Sequence, residues 1–556
     1  MQSRARHRRA RFANHAIAVY NCRAEAAIYP SSARERFCPV NVQLPQPTVE
    51  PWWQSSWERW GLLLGPLAMV AWMGWGPDAG LTSEAHRLCG VLLLTIVWWL
   101  TEPIPIPATG LFAVALAVIV GAVPAGDRAP AVVALEPFSN PTLFFLLGGM
   151  FIGRAMSRHG LDRRIALSIL TIRGAARSPG TLLAAVGAAV MLISMWISNT
   201  AATAMIYPVT LGIISVLAAG VDTHDGPFER SPYASALLLM TAYASSVGGI
   251  ATPIGTTTNV VAMGFFRQRE YFGRPVDFAR WAVLGVPLML ALGLALFVWL
   301  WMLTPSRKLD LRGVRAHLSA QRAKLGRWSA GERNTLAVFL VVVSLWIAPS
   351  ALQLAGLEEA SRWLVAHFPE EIVALLAPTL LFLLPINWHR RQFSLTADDF
   401  AKIDWGTLVL FGSGLCLGGL MVRTGLVRAI GQDAFDWLGS DDVWLITAMA
   451  IAGGILLSEF TSNAAAATAL IPVVLAICDE AGVDKVPPLM GVTLAASFGS
   501  ALPVSTPPNA IVYGSGLLPV RRMIVAGIGF DLACCTVIWL VLRAAFALGW
   551  SPLLPD

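Results

Sequence analysis

The stretch ISNTAATAMIYPV (residues 197–209) returns as TSNAAAATALIPV (residues 461–473), a polar Ser-Asn step set between apolar arms both times. Two further stretches return in the same order. GMFIGRAMSRHGL (149–161) matches GLCLGGLMVRTGL (414–426), and ATPIGTTTNVVAMG (251–264) matches ALPVSTPPNAIVYG (501–514). Self-similarity on this scale makes two halves of one architecture. Within each half, a longer apolar block (about 179–218 and 441–480) is interrupted near its centre by small polar residues, as a hairpin or broken helix would be.

The surroundings of these motifs are unusually apolar. Of the 556 residues, 56% are hydrophobic and 13% charged, with a mean hydropathy of +0.63. A soluble domain carries roughly 25% charged residues, so the solvent is a bilayer. Stretches near the roughly 20 residues that a spanning helix needs fall at 58–76, 87–101, 105–123, 141–157, 232–250, 277–303, 334–350, 371–386, 405–422, 488–502 and 523–547. The formal charge of +6 comes from Lys and Arg spread between apolar segments, not gathered in one patch, which argues against nucleic acid as a partner. The cysteines (Cys22, Cys38, Cys89, Cys416, Cys478, Cys534 and Cys535) form no CxxC pair and read as apolar packing residues.

If both interrupted blocks enter and leave on one face and the other segments cross, the basic loops fall together. Arg158, Arg163, Arg164, Arg173 and Arg177 share a side with 307–333, with His389, Arg390 and Arg391, and with the basic N-terminus. Positive residues mark the cytoplasm, so the N-terminus is expected there and the C-terminus outside. The acidic loop with Asp222, Asp225 and Glu229 is an exception of little weight under that rule. The two hairpins then open to opposite sides. Inverted repeats with interrupted helices point to a secondary transporter and to its binding site.

A polar step in hydrocarbon must face protein, water or a ligand, because each unsatisfied group costs several kcal/mol. At a broken helix, free carbonyls can hold a cation, while free N–H groups and the positive dipole end can hold an anion. Asn supplies both a donor and an acceptor. The same reasoning covers Thr252, Gly255, Thr256, Thr257 and Asn259, and their counterparts Pro503, Ser505, Thr506, Pro507, Pro508 and Asn509. Glycine allows close backbone approach and paired prolines cannot continue a helix. None of the four breaks contains Lys, Arg or Asp. A dianion held there must be balanced by helix ends and co-bound cations, which makes Na+ the expected coupling ion. Glu459, beside the second Ser-Asn step, is either a structural carboxylate or a group that tunes the cation; Glu102 reads as an interfacial turn.

At these residues the chain resembles the divalent anion/sodium symporter family. The resemblance covers about residues 55–550 and is carried by WWLTEPIPIPATG from Trp98, the two Ser-Asn steps and STPPN from Ser505. It implies an all-α polytopic membrane protein with about eleven transmembrane helices and two re-entrant hairpins in two inverted repeats, working as an elevator-type homodimer in the bacterial inner membrane. It also implies one sodium site at Ser194, Ser198, Asn199 and Gly255, and a second at Ser458, Thr461, Asn463 and Ser505. Substrate carboxylates then meet Ser198, Asn199, Thr200, Thr256 and Thr257 on one side and Ser462, Asn463, Thr506 and Pro507 on the other. Ala464 departs from the family pattern, which often has Thr there, and removes one hydroxyl from the expected contacts.

The resulting expectation is a sodium-coupled symporter of C4 dicarboxylates and not an enzyme. Residues 1–54 form a disordered basic extension, 55–304 the first transmembrane helix and first repeat, 305–333 a basic cytoplasmic linker, and 334–550 the second repeat. A sodium-independent dicarboxylate exchanger and a sulfate or tricarboxylate carrier are the nearest alternatives. An intramembrane hydrolase needs a base paired with a nucleophile, and no apolar segment offers His with Ser or paired Asp at helical spacing. A channel fits the two-fold repeat and closed hairpins less well than a carrier.

Overall fold

The computed structural model describes residues 56–76, 81–219, 228–268, 272, 276–304 and 309–548. The expected extension 1–54 lies outside them, as do Cys22, Cys38, Asp222, Asp225 and Arg307. Apart from one two-stranded antiparallel ribbon, β1 (Pro385–Asn387) with β2 (Gln392–Phe393), the regular structure described is helical. The chain is an all-α polytopic membrane protein.

Three helices come first: α1 (Ser56–Trp75), α2 (Ser83–Thr101) and α3 (Ile106–Ile119). Thr82 caps α2, and Glu102 ends it in the left-handed region at φ 48, where the Pro-rich EPIPIP run prevents continuation. A short helix, α4 (Pro130–Leu135), precedes α5 (Pro141–His159) and α6 (Leu161–Leu170). The first broken block follows as α7 (Pro179–Ser194) and α8 (Asn199–Ala219), and then come α9 (Pro232–Gly249), α10 (Thr257–Arg267) and α11 (Phe278–Met302).

After α12 (Arg312–Lys324) and the helices α13 (Ala330–Leu354), α14 (Glu358–His367), α15 (Glu370–Leu383) and α16 (Ala397–Phe400), the pattern returns. The helices α17 (Trp405–Arg423) and α18 (Leu426–Leu438) take the places of α5 and α6. Gly160 and Gly425 turn the two pairs at φ 71 and 78, a conformation that costs glycine nothing. The second broken block is α19 (Val443–Phe460) and α20 (Asn463–Ala481), followed by α21 (Val486–Ala495), α22 (Pro507–Tyr513) and α23 (Val520–Ala547). The two arms of each block pack on one another, and the first arm packs on the broken helix that follows it: α7 on α9, and α19 on α21.

Among the described residues, seven helices (α8, α11, α13, α17, α19, α20 and α23) are individually long and apolar enough to cross a membrane, and up to nine if the bent pairs α4–α5 and α14–α15 each count as one span. The difference from the eleven crossings expected has a physical origin. The α9–α10 and α21–α22 segments are unwound in the middle, and α3 is a helix of 14 residues. Conversely α8, α19 and α20, expected as hairpin arms, have spanning length themselves. Large apolar side chains such as Leu290 and Leu294 on α11 and Leu532 and Leu540 on α23 are more than half exposed, as faces against lipid are.

At one end of the bundle, charged residues tie the helices together. Arg164 of α6 pairs with Glu332 at 2.6 Å and donates to the carbonyls of Leu325 and Gly326, clamping α6 to the α12–α13 junction. Glu332 also accepts from the Ser329 amide in the capping box of α13. Both side chains of the pair are largely buried, and removing one partner of such a pair costs about 3–5 kcal/mol. Arg164→Ala is therefore expected to lower the melting temperature of the detergent-purified protein by several degrees; an unchanged melting curve contradicts this role for the clamp.

Candidate functional site

Each broken block stops and restarts for the same local reason. The α7 helix ends at Ser194, and Ser198 Oγ then accepts the amide of Ala201 at 3.3 Å to start α8. In the second block Ser462 caps α20, accepting from the Ala465 amide at 3.3 Å. A serine that accepts an amide through its lone pair keeps its O–H to donate outward. Thr256 precedes α10 and Thr506 caps α22, so all nine expected substrate residues (Ser198, Asn199, Thr200, Thr256, Thr257, Ser462, Asn463, Thr506 and Pro507) lie at the starts of α8, α10, α20 and α22. Helix starts carry free N–H groups and the positive dipole end, and therefore favour anions.

Of the expected cation residues, Ser198, Asn199 and Asn463 share those starts, Ser194 and Ser458 lie at the ends of the preceding arms, and Gly255, Thr461 and Ser505 lie in the breaks. Ser194 Oγ approaches Asn199 Oδ1 at 2.9 Å and the Ser245 carbonyl at 2.7 Å. Ser458 Oγ repeats this with Asn463 Oδ1 at 2.8 Å and the Ala496 carbonyl at 2.9 Å. One hydroxyl proton faces two acceptor oxygens in each half. This surplus of acceptors is the kind of deficit a cation fills.

Gly249 makes the first cradle possible. A Cβ there would fall 2.5 Å from Asn199 Oδ1 and 3.2 Å from the Gly255 carbonyl, so those two oxygens converge on the space glycine leaves. In the second half, a Cβ on Gly499 would fall 2.8 Å from the Ser458 carbonyl. The structure thus joins Ser194, Asn199 and Gly255 in one group and Ser458 and Asn463 in another. Thr461 and Ser505 have further partners. The Thr461 hydroxyl donates to the Trp99 carbonyl of α2 at 3.2 Å, and Ser505 Oγ donates to the backbone carbonyl and side chain of Glu459.

Two asparagines of the unwound segments stand outside the expected substrate and sodium sets and bond backbone instead. Asn259 Nδ2 donates to the carbonyls of Gly249 and Thr252 at 3.0 and 2.8 Å, and Asn509 Nδ2 to those of Gly499 and Leu502 at 2.9 and 3.0 Å. These bonds hold the unwound segments in shape, and the motif comparison already pairs the two residues. Thr252 Oγ1 adds a bond to the Met195 carbonyl, joining the first unwound segment to the first hairpin. The halves also meet. Thr258 Oγ1 and Ser497 Oγ are 2.6 Å apart, and the Tyr243 hydroxyl donates to the Ser500 carbonyl at 2.7 Å, while Ser497 also accepts through its carbonyl from Asn463 Nδ2 of its own half at 3.1 Å.

Burial differs along each break, with Thr256 and Thr506 buried at their helix starts. Ser194 and Ser458 are fully buried, whereas Ser198, Thr200 and Pro507 are exposed and Asn199, Thr257, Ser462 and Asn463 partly so. Oxygen-rich pockets thus sit behind a more open rim of helix starts. A separate cavity of about 230 Å³, lined by Glu136, Asn140, Gln268, Cys416 and Arg423 among others, includes none of these residues.

Residues 57–554 match the family model described as the sodium:sulfate symporter transmembrane region. The sodium-dependent dicarboxylate transporter SdcS of Staphylococcus saprophyticus is 30% identical over 491 residues, covering 87% of this chain and 90% of that protein. The protein of the same name from Staphylococcus aureus is 28% identical over 493 residues, covering 88% of this chain and 91% of that one. In fold, the chain is similar to the YdaH transporter of Alcanivorax borkumensis, with a TM-score of 0.51 at 15% identity over 90% of this chain and 99% of that one. With nearly its whole helical length matched, the chain belongs to the sodium:sulfate symporter transmembrane family.

Proposed function

We propose that the chain is a secondary transporter that carries small dianions, of the C4 dicarboxylate class (succinate, malate, fumarate), across the bacterial plasma membrane together with Na+. One observation carries this reading: each half sets a surplus of acceptor oxygens at the end of one arm directly before the positive start of the next. The first feature suits a cation and the second an anion. Four such starts near one another, with no Lys or Arg in the breaks, suit a dianion whose charge is balanced by bound sodium. The names of the staphylococcal relatives, sodium-dependent dicarboxylate transporters, support both the ion and the substrate class.

The two sodium sites are read as Ser194, Ser198, Asn199 and Gly255, and as Ser458, Thr461, Asn463 and Ser505. At Thr461 the carbonyl serves in place of the hydroxyl, which is bonded to Trp99. Alternating access follows from two breaks of opposite orientation in an elevator-type homodimer of eleven crossings and two hairpins, with the N-terminus cytoplasmic and the C-terminus periplasmic. A sulfate carrier is the second reading. It is favoured by Ala464, which brings no hydroxyl to the start of α20, and by the description of the matching family.

In proteoliposomes the account expects succinate uptake driven by an inward sodium gradient. A lost hydrogen bond to a charged group costs about 1.5–3 kcal/mol, roughly a ten- to hundredfold change in affinity. Asn199→Ala and Asn463→Ala are each expected to weaken sodium-driven uptake by that factor while the purified protein keeps its elution profile. Wild-type uptake in both variants contradicts the site. Exchange of internal for external succinate at equal rate without sodium contradicts symport. Ala464→Thr is expected to change the order in which succinate, citrate and sulfate compete for uptake; an identical order removes position 464 from the substrate contacts.

A further inference from the structure

Charges that the sequence spreads between apolar segments are gathered by the fold at one place. On α12, Arg312, Arg315, Arg322 and Lys324 are exposed, as is Arg327 just beyond it, while Val314 and Leu318 are buried. Two turns apart, Arg322 and Arg315 bind the two ends of the loop between α6 and α7. Arg322 Nη1 donates to Thr171 Oγ1 at 2.9 Å, and Arg315 Nε to the Ala176 carbonyl at 2.8 Å. That loop brings Arg173 and Arg177, both exposed, alongside α12. A guanidinium has five N–H donors, so the two bonded arginines keep most of theirs for a ligand.

Among the described residues, none of these seven cations forms an ion pair. Residues 163–178 and 311–331 contain no Asp or Glu. At their borders Asp162 is buried, Glu332 is held by Arg164, and Asp310 accepts the Arg312 amide at 2.9 Å. Like charges gathered in this way repel one another and attract an anionic partner.

The patch lies where apolar helices end. α12 packs on the last turns of α8, a helix of spanning length: a Cβ on Gly313 would fall 3.0 Å from Val216 Cγ1, and one on Gly212 2.8 Å from His317 Nε2. α7 starts at Pro179, two residues after Arg177, and a Cβ on its Gly180 would meet Trp301 of α11 at 3.5 Å. Large apolar side chains stand exposed at this end as well. Ile172 and Met302, the last residue of α11, are more than half exposed, and Trp328 nearly half. Cations mixed with exposed apolar groups at the end of a membrane bundle suit the boundary between headgroups and acyl chains. A soluble acidic partner accounts for the charge alone.

We propose that α12 and the α6–α7 loop form a docking surface for anionic phospholipids of the adjoining leaflet. Arg173, Arg177, Arg312, Lys324 and Arg327 hold the phosphate oxygens, and Ile172 and Trp328 enter the acyl boundary. Lipids held there tie the start of α7 and the end of α8, the two feet of the first broken block, to the leaflet.

The test counts lipid adducts on the detergent-purified protein by native mass spectrometry, with phosphatidylglycerol and phosphatidylcholine offered in equal amounts. The wild type is expected to prefer phosphatidylglycerol at least tenfold, and less so as salt rises. Each cation near an anionic surface is worth about fivefold in affinity. The combined variant Arg173→Gln, Arg177→Gln, Arg312→Gln and Lys324→Gln, which removes no side-chain bond within the described chain, is therefore expected to lose the preference. Where that variant does not elute as the wild type does, Arg173→Gln with Arg177→Gln, or Arg312→Gln with Lys324→Gln, is expected to lower it. Arg390→Gln, Arg391→Gln and Lys402→Gln together, exposed cations outside the patch, are expected to keep it. Equal retention of both lipids by the wild type, or an undiminished preference in a folded patch variant, overturns the surface. So does displacement of the lipid by polyglutamate at equal charge, which assigns the face to a soluble acidic partner.

Discussion

Helix breaks inside an apolar layer are the constraint on which the rest depends. Lipid offers no hydrogen bonds, so every carbonyl and amide freed at residues 195–198, 250–256, 461–462 and 496–506 must find a partner within the protein or in a ligand. The chain meets most of this demand itself: Asn259 and Asn509 each bind two freed carbonyls, and Ser198, Ser462 and Thr506 cap the new helix starts. What it leaves are oxygens gathered around Ser194 and Ser458 and a set of positively polarised helix starts. Opposite deficits side by side suit a cation and an anion that arrive together.

The two halves use one plan with different chemistry. The Ser–Asn contact across each hairpin break and the Asn bonds across each unwound segment recur almost atom for atom. The connection between hairpin and unwound segment does not. In the first half it is the Thr252 hydroxyl on the Met195 carbonyl; in the second, Glu459 gathers the Ala501 and Leu502 amides and the Ser505 hydroxyl. The first half has no carboxyl at the matching position, where Met195 follows Ser194, so the two connections are chemically distinct although the motifs around them are duplicated.

Much of this was legible in the sequence because it was written twice. The paired motifs locate all four breaks, and Ser194 and Ser458, which the family resemblance implied, bond Asn199 and Asn463 in the two halves. Partners from distant parts of the chain were not legible. Nothing near Thr461 announces that its hydroxyl meets Trp99, or that Asp531 accepts the Ser500 amide. Gly249 looks like any helix-ending glycine until Asn199 and the carbonyl of Gly255 are seen to converge on it. The count of crossings was the hardest to read, because an unwound span and a hairpin arm break the link between apolar length and crossing that sequence reading relies on.

The most direct test of paired ion and dianion binding is a cryo-electron microscopy map of the protein in sodium and succinate, compared with one in potassium without succinate. The account predicts sodium-dependent density among Ser194, Asn199 and Gly255 and beside Ser458 and Asn463, with the dicarboxylate between the starts of α8 and α20. Succinate bound elsewhere, with both Ser–Asn pairs unchanged between the two maps, contradicts it.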